Sequence, residues 1–265
     1  MTRSFVRVAR PFAWIATAAT IALAPAARAQ VSLDDRIASL AEHVKKKADD
    51  QAVTVIEGLS QSFKSMTDDD KKKAVAAVEK CLSARRDDGD DKLFENAVSA
   101  FANMEDLGEK ATIKNLKSPN VEKRRAVLAA AIRSLAFHKN PANVKTLTDF
   151  LVNSEPVVVA GAAEGLGNYA DRPEKERKPI VEELVKTYAT YSSAASNAQA
   201  TPPQKATAKE RLAIVEHQLQ TSLQKLTGQE FKDAPAAQKW YNDNKSKKWP
   251  DPAAGGADSG APAKN

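Results

Sequence analysis

Four prolines in the middle of the chain restrict what it can fold into. Pro119, Pro141, Pro156 and Pro179 each stand where a run of helical periodicity begins. A proline at the first helical position costs little, because the N–H it lacks would have had no intrahelical partner. Pro119 and Pro156 are 37 residues apart, and Pro141 and Pro179 are 38 apart. The alternation of long and short intervals predicts one helical hairpin, repeated. Other residues keep the same step: Val121 matches Val158, Ala126 matches Ala163, Val144 matches Val181 and Leu147 matches Leu184, each 37 apart. A period of this size means stacked helix pairs, none of which buries its apolar face without a neighbour.

The segment Glu155-Pro-Val-Val-Val-Ala-Gly-Ala-Ala-Glu-Gly-Leu-Gly167 resembles the first helix of a HEAT repeat, with its small residues and closing Leu-Gly. The resemblance covers roughly Leu93 to Tyr191. It implies an all-α fold, an α-α superhelix of HEAT-like hairpins over residues 89–191, and a role in binding other macromolecules. Ankyrin repeats would require a Thr-Pro-Leu-His turn and tetratricopeptide repeats a 34-residue period; the sequence has neither.

Residues 30–88 read as N-terminal amphipathic helices. Leu33, Ile37, Leu40, Ala41 and Val44 recur at helical spacing behind Ser32 as N-cap, with Asp35 in capping-box position. Val53, Ile56, Leu59, Phe63 and Met66 line a second helix. A third is predicted from Thr67, whose hydroxyl can cap while Asp68, Asp69 and Asp70 occupy the favourable end of the helix dipole. The run Asp87-Asp88-Gly89-Asp90-Asp91 interrupts the pattern and is the candidate boundary with the repeats. Residues 192–204 lack apolar periodicity and are expected to form a linker ending in a Pro-Pro stop. Over 205–249 a helix with Leu212, Val215, Leu219, Leu223 and Leu226 is followed by Gly228 as C-cap and then by an aromatic extension. That extension is similar to those closing exported bacterial HEAT-repeat proteins, which implies a capping helix. Residues 250–265 are Pro, Ala, Gly and polar residues, expected to stay disordered.

The start of the chain has the pattern of an export signal. Arg3, Arg7 and Arg10 precede the uncharged, mostly apolar stretch 12–24, and Ala27-Arg28-Ala29 is a small-x-small cleavage motif. The apolar stretch is 13 residues long, against roughly 20 needed to span a bilayer. The expectation is a cleaved signal peptide over 1–29, a periplasmic or secreted protein, and no stable membrane anchor. Cleavage removes four arginines and no acid, so Lys+Arg falls from 40 to 36 against 34 Asp+Glu and the net charge falls from +6 to +2. The basic balance that would suggest nucleic acid therefore belongs mostly to the leader. With Cys81 alone, no intramolecular disulfide can form.

No chemistry-bearing constellation stands out. His43, His138 and His217 lie in separate sections, none with a metal partner at i, i+4. Gly161, Gly165 and Gly167 mimic a phosphate loop, but such a loop follows a strand, and Pro156 opens a helix; close helix packing accounts for them better. The acidic run 87–91 lacks the ligand order of a calcium loop. The chain thus reads as a non-catalytic exported scaffold or adaptor for a protein or envelope polymer, with no cofactor and no nucleic acid. Candidate interaction residues are Lys145, Asp149, Glu182 and Lys186 along one helix row, and Phe231, Trp240 and Tyr241 in the extension, where large amphipathic aromatics can anchor an interface. The rival reading is a HEAT-like lyase-type enzyme, or another tetrapyrrole-handling protein, which would need an acidic or histidine-lined cavity.

Overall fold

The computed structural model describes residues 31–249. The expected signal peptide (1–29) and the expected disordered tail (250–265) lie outside the described residues. Among the described residues the chain is all-α, with twelve helices and no strand. Together they form a helical repeat-like fold.

The first three helices are α1 (Leu33–Lys45), α2 (Asp49–Ser62) and α3 (Asp68–Cys81). At the start of α3 the Asp70 amide donates to Thr67 Oγ1 at 3.3 Å, so the threonine caps as expected. Next come α4 (Lys92–Ala100), α5 (Glu105–Asn115), the one-turn α6 (Pro119–Glu122), α7 (Arg125–Phe137), α8 (Val144–Asp149) and α9 (Pro156–Leu166). The last three are α10 (Glu174–Ser196), α11 (Pro202–Thr227) and α12 (Ala234–Asn244).

These helices stack in two rows. α2, α4, α7, α9 and α11 pack consecutively, while α3 packs on α5 and, further along, α8 on α10 and α10 on α12. α1 lies against α2 and α3. Successive helices can approach because the facing residues are small. A Cβ built on Gly165 of α9 would stand 2.6 Å from Ala136 Cβ of α7, and one on Gly167 would stand 2.6 Å from Ser222 Oγ of α11. Both are inside van der Waals contact, so α9 is held between its two neighbours at a separation that only glycine permits. The buried aromatics Phe63, Phe94, Phe101, Tyr169 and Tyr188 fill the wider seams.

The helices depart from the predicted repeat in three places. Pro119 and Pro156 both open helices, and Val121 and Val158 are both buried, as are Leu147 and Leu184. However, α6 ends after one turn, and α7, not α6, packs along α9. Between them Arg124 is extended (φ −105, ψ 97), with its guanidinium committed to the 86–91 segment. The second change concerns Pro179, which opens no helix. It lies inside α10, which begins at Glu174 behind the extended Pro173. As a proline inside a helix, Pro179 leaves the Lys175 carbonyl without its usual amide donor.

The third change is the connection expected over 192–204. α10 continues to Ser196, and α11 starts at Pro202, leaving residues 197–201 between them. The two prolines begin a helix instead of stopping one: Thr201 and Gln204 form a capping box in which the Thr201 amide donates to Gln204 Oε1 at 3.0 Å. Ala194 and Ala195 favour helix even without an apolar stripe, and Ala195 is buried. At the far end of α11, Gly228 takes the left-handed conformation (φ 73) and donates to the Gln224 carbonyl at 2.8 Å, the expected C-cap.

The acidic run 87–91 joins sections that share one continuous core. Its position is fixed by two arginines. Arg86, with a side chain only 3 % exposed, grips the Asp49 carboxylate at 2.6 Å and the Val44 carbonyl at 2.9 Å. Arg124 donates to the carbonyls of Arg86 (3.0 Å) and Asp87 (3.1 Å) and to the Asp91 carboxylate (2.5 Å), and stacks over the Phe94 ring at 4.9 Å. Gly89 (φ 89) allows the reversal between them.

The C-terminal extension is likewise held down. Asp233 caps α12 by accepting from the Ala236 amide at 2.8 Å. Replacing it with alanine should lower stability by about 1 kcal/mol, the usual worth of an N-cap, measurable by chemical denaturation. Trp240 packs edge-on against Phe231 and tilted against Trp249, with ring centroids 5.7 and 5.2 Å apart. Lys178 of α10 lies over the Trp249 ring at 5.3 Å and donates to the Lys247 carbonyl at 2.8 Å. Buried Arg177 donates to the Leu226 carbonyl in the last turn of α11 and to the Arg172 carbonyl at 3.0 Å. Carbonyls at a helix end lack intrahelical donors, and a guanidinium supplies them.

Candidate interaction face

The face formed by α8, α10 and α11 carries a cleft of about 500 Å³. One wall is the 3-10 turn Phe150–Val152 that closes α8, with the following Asn153 and Ser154. The other is the face of α10 bearing Glu183, Lys186, Thr187, Thr190, Tyr191 and Ala194, with Glu183 and Lys186 paired at 2.8 Å, and Arg211 of α11 closes one end. Val152 is 85 % exposed, more than any other large hydrophobic residue of the described chain. The turn places it there: Leu151 takes the buried position and its neighbour is left facing out.

The α10 wall is less polar than its composition suggests. Thr187 Oγ1 donates to the Glu183 carbonyl at 2.8 Å and Thr190 Oγ1 to the Lys186 carbonyl at 2.9 Å. With both hydroxyls returned to their own helix, the threonines have no donor left for the cleft. Arg211 is fixed at its mouth by a bond from Nη2 to the Ser154 carbonyl (2.8 Å), and its guanidinium lies 5.9 Å from the Tyr191 ring centroid.

The residues expected to form the interaction row are distributed differently. Lys145 and Asp149 are exposed on α8 and pair with each other at 3.1 Å. Lys186 is bound by Glu182 at 2.9 Å and Glu183 at 2.8 Å, and Tyr241 donates its hydroxyl to Glu182 at 3.0 Å. The structure therefore brings Glu182, Lys186 and Tyr241 into one network between α10 and α12. Their titration follows from it: Glu183 and Glu182 raise the Lys186 ammonium, Lys186 and Tyr241 lower the Glu182 carboxyl, and burial, then Glu182, raises the Tyr241 hydroxyl. Of these residues only Lys186 lines the cleft, and its charge is already matched. Phe231 is buried and Trp240 partly so, in the stack that closes the end of the fold.

Sequence reasoning missed Val152, Tyr191 and Arg211. Val152 follows Phe150 and Leu151 in an apolar triplet that reads as core, and Tyr191 and Arg211 flank the stretch read as a linker. Nothing local in the sequence marks which member of the triplet faces out.

The remaining titratable groups are dispersed. Cys81 is buried, its Sγ directed to the Ala77 carbonyl at 3.6 Å, and burial pushes the thiol up to about 12. A thiol so protonated is a poor nucleophile. His43 lies in α1, His217 in α11 and His138 just past α7. Among the described residues no group of three or more His, Cys, Asp or Glu converges to hold a metal ion, and no helix is long and apolar enough to cross a membrane.

His138 has an enclosed Nε2 without a hydrogen-bond partner, and burial lowers its pKa against the opposing pull of Glu109, the Phe101 carbonyl and Asp106. A histidine with a lowered folded pKa binds its proton more readily when unfolded. Its contribution to stability is therefore present above the unfolded value of about 6.5 and is lost as pH falls below it. Denaturation midpoints measured between pH 7.5 and 5 should fall less steeply for His138→Gln than for the wild type; parallel curves would contradict this.

No family model matches this chain, and no curated protein or solved structure matches it either.

Proposed function

We propose that the protein is a non-catalytic, exported HEAT-like α-solenoid that serves as a scaffold or adaptor, binding a protein partner along the face of α8, α10 and α11. The observation that carries this reading is the cleft beside Val152, where an exposed aliphatic side chain adjoins a wall of threonines without free hydroxyl donors. Paired helices repeated at a step of 37 residues support it, because such stacks present long rigid surfaces at little ordering cost. Export is supported by the basic, apolar and small-residue order of residues 1–29.

Photo-crosslinking in the native host tests the reading. A photoreactive amino acid is placed at Val152 and, as control, at exposed Lys64 on the opposite end of the sequence, and adducts are identified by mass spectrometry. One protein recovered from position 152 and absent from position 64 is the expected result. The absence of any specific adduct from position 152 would remove the basis for the scaffold reading.

A further inference from the structure

We infer that the cleft binds an extended polypeptide segment in which an aliphatic side chain lies beside an acidic one, the aliphatic group against Val152 and the α10 wall and the carboxylate on Arg211. This deepens the scaffold reading above and rests on it.

The first argument is charge. Arg211 is the one cation at the cleft with no carboxylate within 4.0 Å among the described residues; its contacts there are the Ser154 carbonyl and the Tyr191 ring. Lys186, on the same cleft, is bound by Glu182 and Glu183. A guanidinium has five N–H donors in a planar fork suited to a carboxylate. The Ser154 bond and the ring fix the orientation of that fork, so less side-chain entropy remains to be lost on binding.

The second argument is the wall. Val152 and the methyl groups of Thr187 and Thr190 lie within reach of one ligand, and the threonine hydroxyls are already donated within α10. Such a surface gains from an aliphatic side chain and offers a ligand no threonine donor.

The third argument is shape. Asn153 and Ser154 also line a second trench, of about 410 Å³, together with Glu122, Lys123, Arg125 and Glu155. A partner lying across Asn153 and Ser154 would meet both hollows, which suits an extended segment of chain.

The test uses the full chain and a phage library of random linear peptides of about twelve residues. The expected result is enrichment of peptides with Val, Leu or Ile within two positions of Asp or Glu, and synthetic versions should bind at least about tenfold more weakly to Arg211→Gln. Arg211 makes a single exposed hydrogen bond, to the Ser154 carbonyl, and Val152→Asp changes a side chain that is 85 % exposed, so both variants should fold. Val152→Asp should abolish the enrichment. Enrichment of peptides without carboxylates, equal binding to Arg211→Gln, or no enrichment would overturn the inference. The two readings fail differently. A native partner crosslinked equally well when Arg211→Gln and Val152→Asp are added elsewhere in the same experiment, with the probe moved to Thr190, leaves the scaffold standing and removes this groove; no partner at all removes the scaffold.

Discussion

Replacing Arg124 with methionine is expected to lower stability by about 3 kcal/mol, seen as a fall of roughly 6–12 °C in Tm for a chain of this size. The side chain is 10 % exposed and makes bonds to the carbonyls of Arg86 and Asp87 and to the Asp91 carboxylate. Methionine retains the apolar stem over Phe94 but leaves these acceptors, part-buried at Arg86 and Asp91, without their donor. The Asp91 carboxylate would also lose its cation. Arg124→Lys should recover only part of the loss, because an ammonium cannot span carbonyls on one side and a carboxylate on the other as a planar fork does. A full recovery by lysine would show that charge alone, and not the fork, holds the segment.

An equally large effect is expected from Gly165→Leu. The first atom of any side chain at this position meets Ala136 Cβ at 2.6 Å, so α9 must move away from α7 along a close seam of the stack. Overpacking of this kind costs typically 1–3 kcal/mol and sometimes more, and here leucine adds three further carbons to an occupied site; a loss of about 3 kcal/mol is expected by urea denaturation. Gly165→Ala should be milder but still destabilising, although alanine is the better helix former. If Gly165→Ala stabilised the protein, helix propensity would outweigh the close approach and the seam would be softer than its distances indicate.

The two substitutions act on different parts of the fold and share no partner, so their effects should add within a few tenths of a kcal/mol. Arg124 ties the N-terminal helices to α7, while Gly165 sets the spacing between α7 and α9. A double variant that loses much less than the sum would indicate that unfolding of the two regions is not cooperative, as happens when long stacks of repeats break into independent parts.

Much of the local order was legible in the residues themselves. Thr67 ahead of three aspartates, Pro156 at the head of a small apolar run and Gly228 at the end of α11 each act within a few residues of their own position, so their roles follow from the sequence. Other local signals have two meanings. A proline six residues into a helix and one at its opening look alike in sequence, as Pro179 shows; Pro202 and Pro203 serve equally as the end of one helix or the start of another.

The sequence alone determines that the protein is all-α, because proline, caps and apolar spacing act through the backbone of neighbouring residues. Only the tertiary structure decided that Lys186 is neutralised by Glu182 and Glu183, that Phe231 and Trp240 close an end, and that Val152 and Arg211 share a cleft. Those outcomes depend on how far each helix is rotated about its axis against its neighbours. That rotation is set by packing between residues far apart in the chain, such as Gly165 on Ala136 and Gly167 on Ser222, whose proximity no local pattern encodes.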